Sequence, residues 1–228
     1  NAGRVIDAVD AAGIADDTII VFTSDNGPQT FQGVGIEFGG HSDSGPFRGE
    51  FTSGWEGAIR TPCVIRWPGR IRPGRVSNQI VSLMDFYRTF AGVAGAKDRI
   101  PTDRAIDSID QTDFLFGDQA TSNRDHLMIF HANHLLAVKW KNFKMHFSVR
   151  EPPNGPVVAS GQATTTNVEH ELPSPWVFDL ENDPKELWNI ATTNLWVRRP
   201  VARIQREFAA SVAAFPNLAP GAEAPPAR

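Results

Sequence analysis

The sequence predicts an α/β fold followed by a smaller antiparallel β part, and two stretches carry that prediction. Residues 18–23 are a run of β-branched and aromatic residues that ends in Ser24-Asp25-Asn26-Gly27-Pro28. A short apolar run bounded by turn residues reads as a strand buried on both faces. Farther on, residues 135–140 and 143–149 are β-rich and are joined by Lys141-Asn142, a hairpin pattern. The chain has 228 residues, 41% hydrophobic and 21% charged, enough for one domain or one and a half. A net charge of -4 without a basic block argues against a nucleic-acid partner. No apolar run approaches the roughly 20 residues that span a bilayer, so no membrane partner is expected.

Residues 2–12 read as an amphipathic helix, with Val5, Ile6, Ala8 and Val9 near helical spacing and Gly13 as the stop. The chain opens inside this pattern without a methionine, so a preceding segment is expected. Helix, short loop and strand 18–23 make one half-turn of an α/β winding. Asp25 and Asn26 stand at the carboxyl end of that strand, the edge where open α/β sheets hold ligands. A charged oxygen beside a neutral carbonyl oxygen is half of a hard-cation site for calcium or magnesium. The same four residue types also make ordinary turns. Residues 27–47 form a long Gly-, Ser-, Asp- and Pro-rich loop, of the kind that is functional or disordered.

Residues 45–62 mix glycines, aromatics and charges without a period. Residues 63–67 read as a second short strand, stopped by Pro68-Gly69, and the lone Cys63 within it as a buried, inert thiol. Arg70, Arg72 and Arg75 read as a solvated loop. Ser82-Leu83-Met84-Asp85 has the form of a capping box opening a helix through Phe86, Phe90 and Val93 to Gly95. Residues 97–111 read as a loop. Asp103, Asp107, Asp110 and Asp113 lack the glycine and terminal glutamate of an EF-hand and read as solvated turns.

The character changes near residue 120, so residues 1–120 and 121–228 are expected to be separate parts, the second a small antiparallel sheet with a C-terminal helix. In the second part, 151–175 reads as an exposed loop, 176–180 as a strand and Asn182-Asp183-Pro184 as a turn. Val201, Ile204, Phe208, Val212 and Phe215 mark an amphipathic helix over 201–214, and 216–228 is expected to fray. His131 and His134 are a close pair with no third zinc ligand beside them, and read as surface or packed histidines.

Several of these pieces come in a familiar order: Ser24-Asp25-Asn26-Gly27, Phe47-Arg48-Gly49, Trp55-Glu56-Gly57-Ala58-Ile59-Arg60-Thr61-Pro62 and Arg66-Trp67-Pro68-Gly69. Asp85-Phe86 with its helix, then Val177-Phe178-Asp179-Leu180 with Asp183-Pro184 and Glu186, follow. Together they resemble the C-terminal half of a type I, arylsulfatase-like sulfatase of the alkaline-phosphatase-like superfamily. The resemblance implies that residues 1–120 are the C-terminal portion of that family's α/β sandwich. It also implies that Asp25 and Asn26 are ligands of a calcium, sometimes magnesium, ion completed by two aspartates near the family's N-terminus. The family's nucleophile is a formylglycine made from the cysteine of a Cys-x-Pro-x-Arg motif; its hydrate attacks sulfur while the metal polarises a sulfate oxygen.

This chain departs from the pattern twice. Cys63 is followed by Val64-Ile65, so the nucleophile half is expected outside the chain, and the chain alone is expected not to hydrolyse sulfate esters. The family's sulfate-binding lysine falls at Phe51, and no lysine occurs in residues 1–96. His41, Arg48 or a residue outside this chain would take its place in substrate binding, and a phosphate or phosphonate ester stays open beside a sulfate ester. A non-catalytic remnant or binding module is the third reading. Glu56 and Arg60, at i and i+4, are expected to pair and set their loop. The expected partners are a small sulfate ester and either the missing N-terminal half or a second copy of the chain.

Overall fold

The computed structural model describes residues 1–28, 44–151 and 168–216. The expected loop over 27–47, the loop over 151–175 and the frayed end each lie partly outside the described residues. The first part contains helix α1 (Ala2–Ala11), strand β1 (Ile20–Thr23), the short helix α2 (Glu56–Ile59), strand β2 (Cys63–Arg66) and helices α3 (Asp85–Val93) and α4 (Thr112–Phe116). The second contains β3 (His126–His131), β4 (His134–Trp140), β5 (Phe143–Glu151), β6 (Val168–Asp179) and helix α5 (Arg198–Ala214). Among the described residues the strands form a β1–β2 pair and a four-stranded sheet ordered β3-β4-β5-β6.

β1 and β2 run antiparallel, with Ile20 opposite Arg66 and Thr23 opposite Cys63. The expectation of a strand buried on both faces is corrected. Phe22 is 58% exposed and its cross-strand partner Val64 is 61% exposed, because no described element covers that face. Cys63 is likewise exposed rather than buried. α1 forms where its periodicity placed it but buries no residue among those described. It is tied to the β2 side by an Arg66–Asp10 ion pair at 2.7 Å, while Trp67 Nε1 donates to the Asp16 carbonyl at 2.6 Å.

The capping box at α3 forms in half. Asp85 Oδ2 accepts from the Ser82 amide at 2.9 Å, whereas the Ser82 hydroxyl accepts from Met84, one residue short of the expected amide. Asp85 has a second task that its position in the sequence hides. It is fully buried and holds Arg124 through two bonds, Nε at 2.9 Å and an Nη at 2.6 Å, tying α3 to the approach of the second sheet.

Strand β3 and helix α4 were not expected. The His131–His134 pair closes a tight hairpin between β3 and β4, with Ala132 at φ 49°. Both rings lie near Glu169 of β6, His134 Nδ1 at 3.2 Å and His131 Nδ1 at 3.6 Å. The expected β4–β5 hairpin is present, Trp140 opposite Phe143 and Lys141 at φ 53°. β6 begins at Val168, so the loop reading is corrected over 168–175. Pro173 and Pro175 gave that reading, yet β6 is an edge strand, where proline is tolerated. The pairing also jumps from His146–Trp176 to Ser148–Glu171, so residues 172–175 take up the irregularity.

α5 lays Val201 and Ile204, each 1% exposed, into a cluster with Val138, Met145 and Val177 from β4, β5 and β6. Full burial of such a side chain is worth about 1.5–3 kcal/mol. The rest of the expected apolar stripe overhangs the sheet. Phe208, Val212 and Phe215 are exposed, and Phe208 meets only the edge ring of Phe130 at 5.3 Å among the recorded ring contacts. Among the described residues no helix is long and apolar enough to cross a membrane.

Candidate active site

β1 ends where Ser24–Pro28 leave the pairing with β2, and that end carries the two oxygen-bearing side chains. Asp25 Oδ1 accepts from the Asn26 amide at 2.9 Å and from the Ser24 hydroxyl at 3.4 Å. Asn26 Nδ2 donates to the Gly27 carbonyl at 2.8 Å. These bonds engage the nitrogen of Asn26 and one oxygen of Asp25. Asn26 Oδ1 and Asp25 Oδ2 accept no hydrogen bond among the described residues, so a neutral and a charged oxygen are available side by side. That donor set fits a hard cation. It is not a complete cage: among the described residues no three His, Cys, Asp or Glu side chains converge on a metal position.

Backbone contacts seat this loop. Gly27 donates to the Ala58 carbonyl at 2.8 Å, Phe51 to the Pro28 carbonyl at 2.8 Å, and Gly57 to the Arg48 carbonyl at 2.7 Å. A Cβ at Gly27 would overlap the Gly57 carbonyl oxygen, and one at Gly57 would overlap the Gly49 carbonyl oxygen. Glycine is thus required at both positions by close approach of three chain segments.

α2, which presents Gly57 and Ala58, is itself held from below by a buried ionic network. Glu56 is fully buried, and its carboxylate meets Lys139 Nζ at 2.7 Å and Lys144 Nζ at 3.1 Å. Its own amide donates to Glu186 Oε2 at 2.7 Å. Glu186 also meets Lys144 at 3.1 Å and His146 Nε2 at 2.8 Å. Burial pushes the Glu56 carboxyl up, but Lys144 and Lys139 outweigh it and hold its pKa at about 2. Glu186 behaves alike: burial opposes ionisation, and Lys144 and His146 win. Burial keeps the His146 ring below the ordinary histidine value, so it is neutral and donates from Nε2 to the Glu186 carboxylate. Burial lowers Lys139 too, against the pull of Glu56.

Above α2 opens a cleft of about 1230 Å³. Asp25 and Asn26 lie on its wall with Ser44, Arg60, Asn78 and Lys139. The expected Glu56–Arg60 pair is present as an ion pair at 3.9 Å, longer than a hydrogen bond because the two lysines take the Glu56 oxygens at closer range. Arg60 also donates to Asn78 Oδ1 at 2.8 Å and lies over the Phe47 ring at 4.5 Å. Arg48 is off this wall. It stacks over Trp55 at 3.9 Å and donates to the Glu186 carbonyl at 3.2 Å. Phe51 is off the wall as well. His41 lies outside the described residues. Asp103 and Asp110 serve as ion-pair partners of Arg104 and Lys97.

Sequence reasoning gave no role to Lys139, Lys144, His146 or Glu186. Their signal was available in part: Lys144 and His146 alternate along a strand, a placement that buries charge only where a counter-charge waits.

Two family models match this chain in the order that the fold presents. The sulfatase model covers residues 2–96 and the model for the C-terminal region of aryl-sulfatase covers residues 122–222. The chain belongs to the sulfatase family. Mouse steryl-sulfatase is 36% identical over 199 residues, spanning 81% of this chain and 31% of that protein. The PsFucS1 sulfatase from Pseudoalteromonas sp. superposes with a TM-score of 0.81 at 28% identity, covering 95% of this chain and 42% of its own. A phosphonate monoester hydrolase of Agrobacterium radiobacter shares the fold at a TM-score of 0.50 and 21% identity. The fold is therefore the alkaline-phosphatase-like α/β type. The chain spans about a third of the length of the mouse relative.

Proposed function

We propose that this chain forms the C-terminal part of a metal-dependent sulfatase that hydrolyses sulfate esters, with Asp25 and Asn26 as two of its metal ligands and calcium as the metal. The observation that carries the reading is the pair of unengaged oxygens on Asp25 and Asn26 on the wall of the cleft, seated by glycine contacts on α2. A bound calcium or magnesium ion would polarise an ester oxygen of the substrate. Asp25 and Asn26 would supply two of that ion's ligands, while Gly27 and Gly57 fix their loop and the Glu56 network holds α2. The nucleophile, a formylglycine by family resemblance, belongs to the part that precedes these residues.

The test starts from the natural gene product. Intact mass and peptide mapping upstream of Asn1 should find a longer polypeptide with a cysteine-derived formylglycine. That polypeptide should turn over an aryl sulfate and lose turnover on Asp25→Ala, while residues 1–228 alone give none. Turnover by the 228-residue chain alone, or full activity of the Asp25→Ala protein, would refute the reading.

A further inference from the structure

The lysine that the family pattern places at Phe51 is missing, and Phe51 is not on the cleft wall. A cation on the cleft wall would offset the charge that develops on a reacting ester. Among the described residues, three cations line the cleft: Arg60, Arg75 and Lys139. Lys139 is closed on Glu56 at 2.7 Å. Arg75 gives its two terminal nitrogens to the Gly117 and Gln119 carbonyls, at 3.4 and 3.0 Å.

Arg60 differs from both. Its guanidinium has five N–H donors, and one hydrogen bond is recorded from them, to Asn78 Oδ1 at 2.8 Å. Its ion-pair partner Glu56 stands 3.9 Å away, beyond hydrogen-bond reach, and is met more closely by two lysines. The side chain is 32% exposed, and the Phe47 ring beneath it fixes its plane. Arg60 also sits two residues beyond Ala58, whose carbonyl holds Gly27 beside Asn26. A guanidinium that is aimed by Asn78 and Phe47 and lightly bonded is suited to a tetrahedral oxyanion.

We propose that Arg60 is the anion-contacting residue of the cleft whose wall also carries Asp25 and Asn26. The proposal rests on the sulfatase reading above. Its claim is that the charge supplied elsewhere in the family at the Phe51 position comes here from the end of α2.

The experiment titrates inorganic sulfate into the 228-residue chain, with and without calcium, following the arginine Nε–Hε signals by NMR. Arg60→Met, Arg60→Lys and Arg75→Met are compared with the unaltered chain, and calcium affinity is measured on each. One signal, lost in Arg60→Met, should move with sulfate. Sulfate affinity should fall about tenfold or more in Arg60→Met and less in Arg60→Lys, as expected for loss of a charge-assisted contact. Calcium affinity should stay within about twofold, and Arg75→Met should match the unaltered chain. Unchanged sulfate affinity in Arg60→Met, or no sulfate binding by a chain that binds calcium, overturns the proposal. Arg60-dependent sulfate binding in a chain that binds no calcium supports it and removes the metal reading instead.

Discussion

Glu56 and Asp25 are both carboxylates, and they are built for opposite uses. Glu56 is fully buried and two lysines and an arginine surround it. Asp25 is exposed at a strand end, with one oxygen engaged by its neighbours' N–H and O–H groups and the other unengaged. The first is internal structure, a joint that fastens α2 to β4 and β5. The second is surface chemistry, held in place by backbone and open to a ligand. The lesson is that burial and partner count, more than residue type, separate a carboxylate that holds the fold from one that could act on something else.

The difference can be broken at either end. Glu56→Gln removes the charge that balances Lys139 and Lys144, and breaking a buried pair of this kind costs about 3–5 kcal/mol. Urea denaturation should show that loss, and a loss below about 1 kcal/mol would mean that the network is not what holds α2.

Acid should reach the same joint. The folded Glu56 carboxyl sits at about 2 against an ordinary 4.5, so its contribution is fully present above about pH 4.5 and disappears as pH falls toward 2. That contribution is roughly 3 kcal/mol. His146, held low by burial, adds in the same direction, since it must charge as pH drops below its ordinary 6.5. Melting temperature should therefore fall steeply below pH 4.5 and far less in Glu56→Gln.

Gly27→Ala tests the link between the two regions. The added Cβ meets the Gly57 carbonyl, so the Asp25–Asn26 loop must move off α2, at a cost of about 1–3 kcal/mol. Equilibrium unfolding gives the cost. An unchanged midpoint would show that the loop is not pinned there.

Asp25→Ala should do least to the fold. It removes an exposed side chain whose bonds are local, so stability should stay within about 0.5 kcal/mol. A larger loss would make Asp25 a turn former rather than a ligand.

The exposed region was the legible one. Asp25 and Asn26 end an apolar run, and local pattern locates such residues well. The α1, β2, α3 and α5 elements and the β4–β5 hairpin were legible for the same reason. The buried joint was not, because Glu56, Lys139, Lys144, His146 and Glu186 are up to 130 residues apart in bonded pairs such as Glu56–Glu186 and meet only in the fold. The Glu56–Arg60 spacing at i and i+4 pointed to a local ion pair, which forms at 3.9 Å, but not to the long-range lysines that meet the same carboxylate more closely. β3 was missed because its apolar run Leu127–Phe130 is only four residues long between two histidines, and the first half of β6 because its prolines look like loop. Burial of β1 and Cys63 was overread: an apolar run states what a strand needs to be covered by, and the described residues do not supply the cover.

The most direct measurement is a terbium luminescence titration of the 228-residue chain, with calcium competition, alongside Asp25→Ala and Asn26→Ala. The account predicts weak but saturable binding, with a calcium Kd of about a millimolar because the chain supplies only part of a cage. Binding should be abolished by either substitution while the urea midpoint is unchanged. Binding that survives both substitutions, or a chain that binds no lanthanide at all, would contradict the assignment of Asp25 and Asn26 as metal ligands.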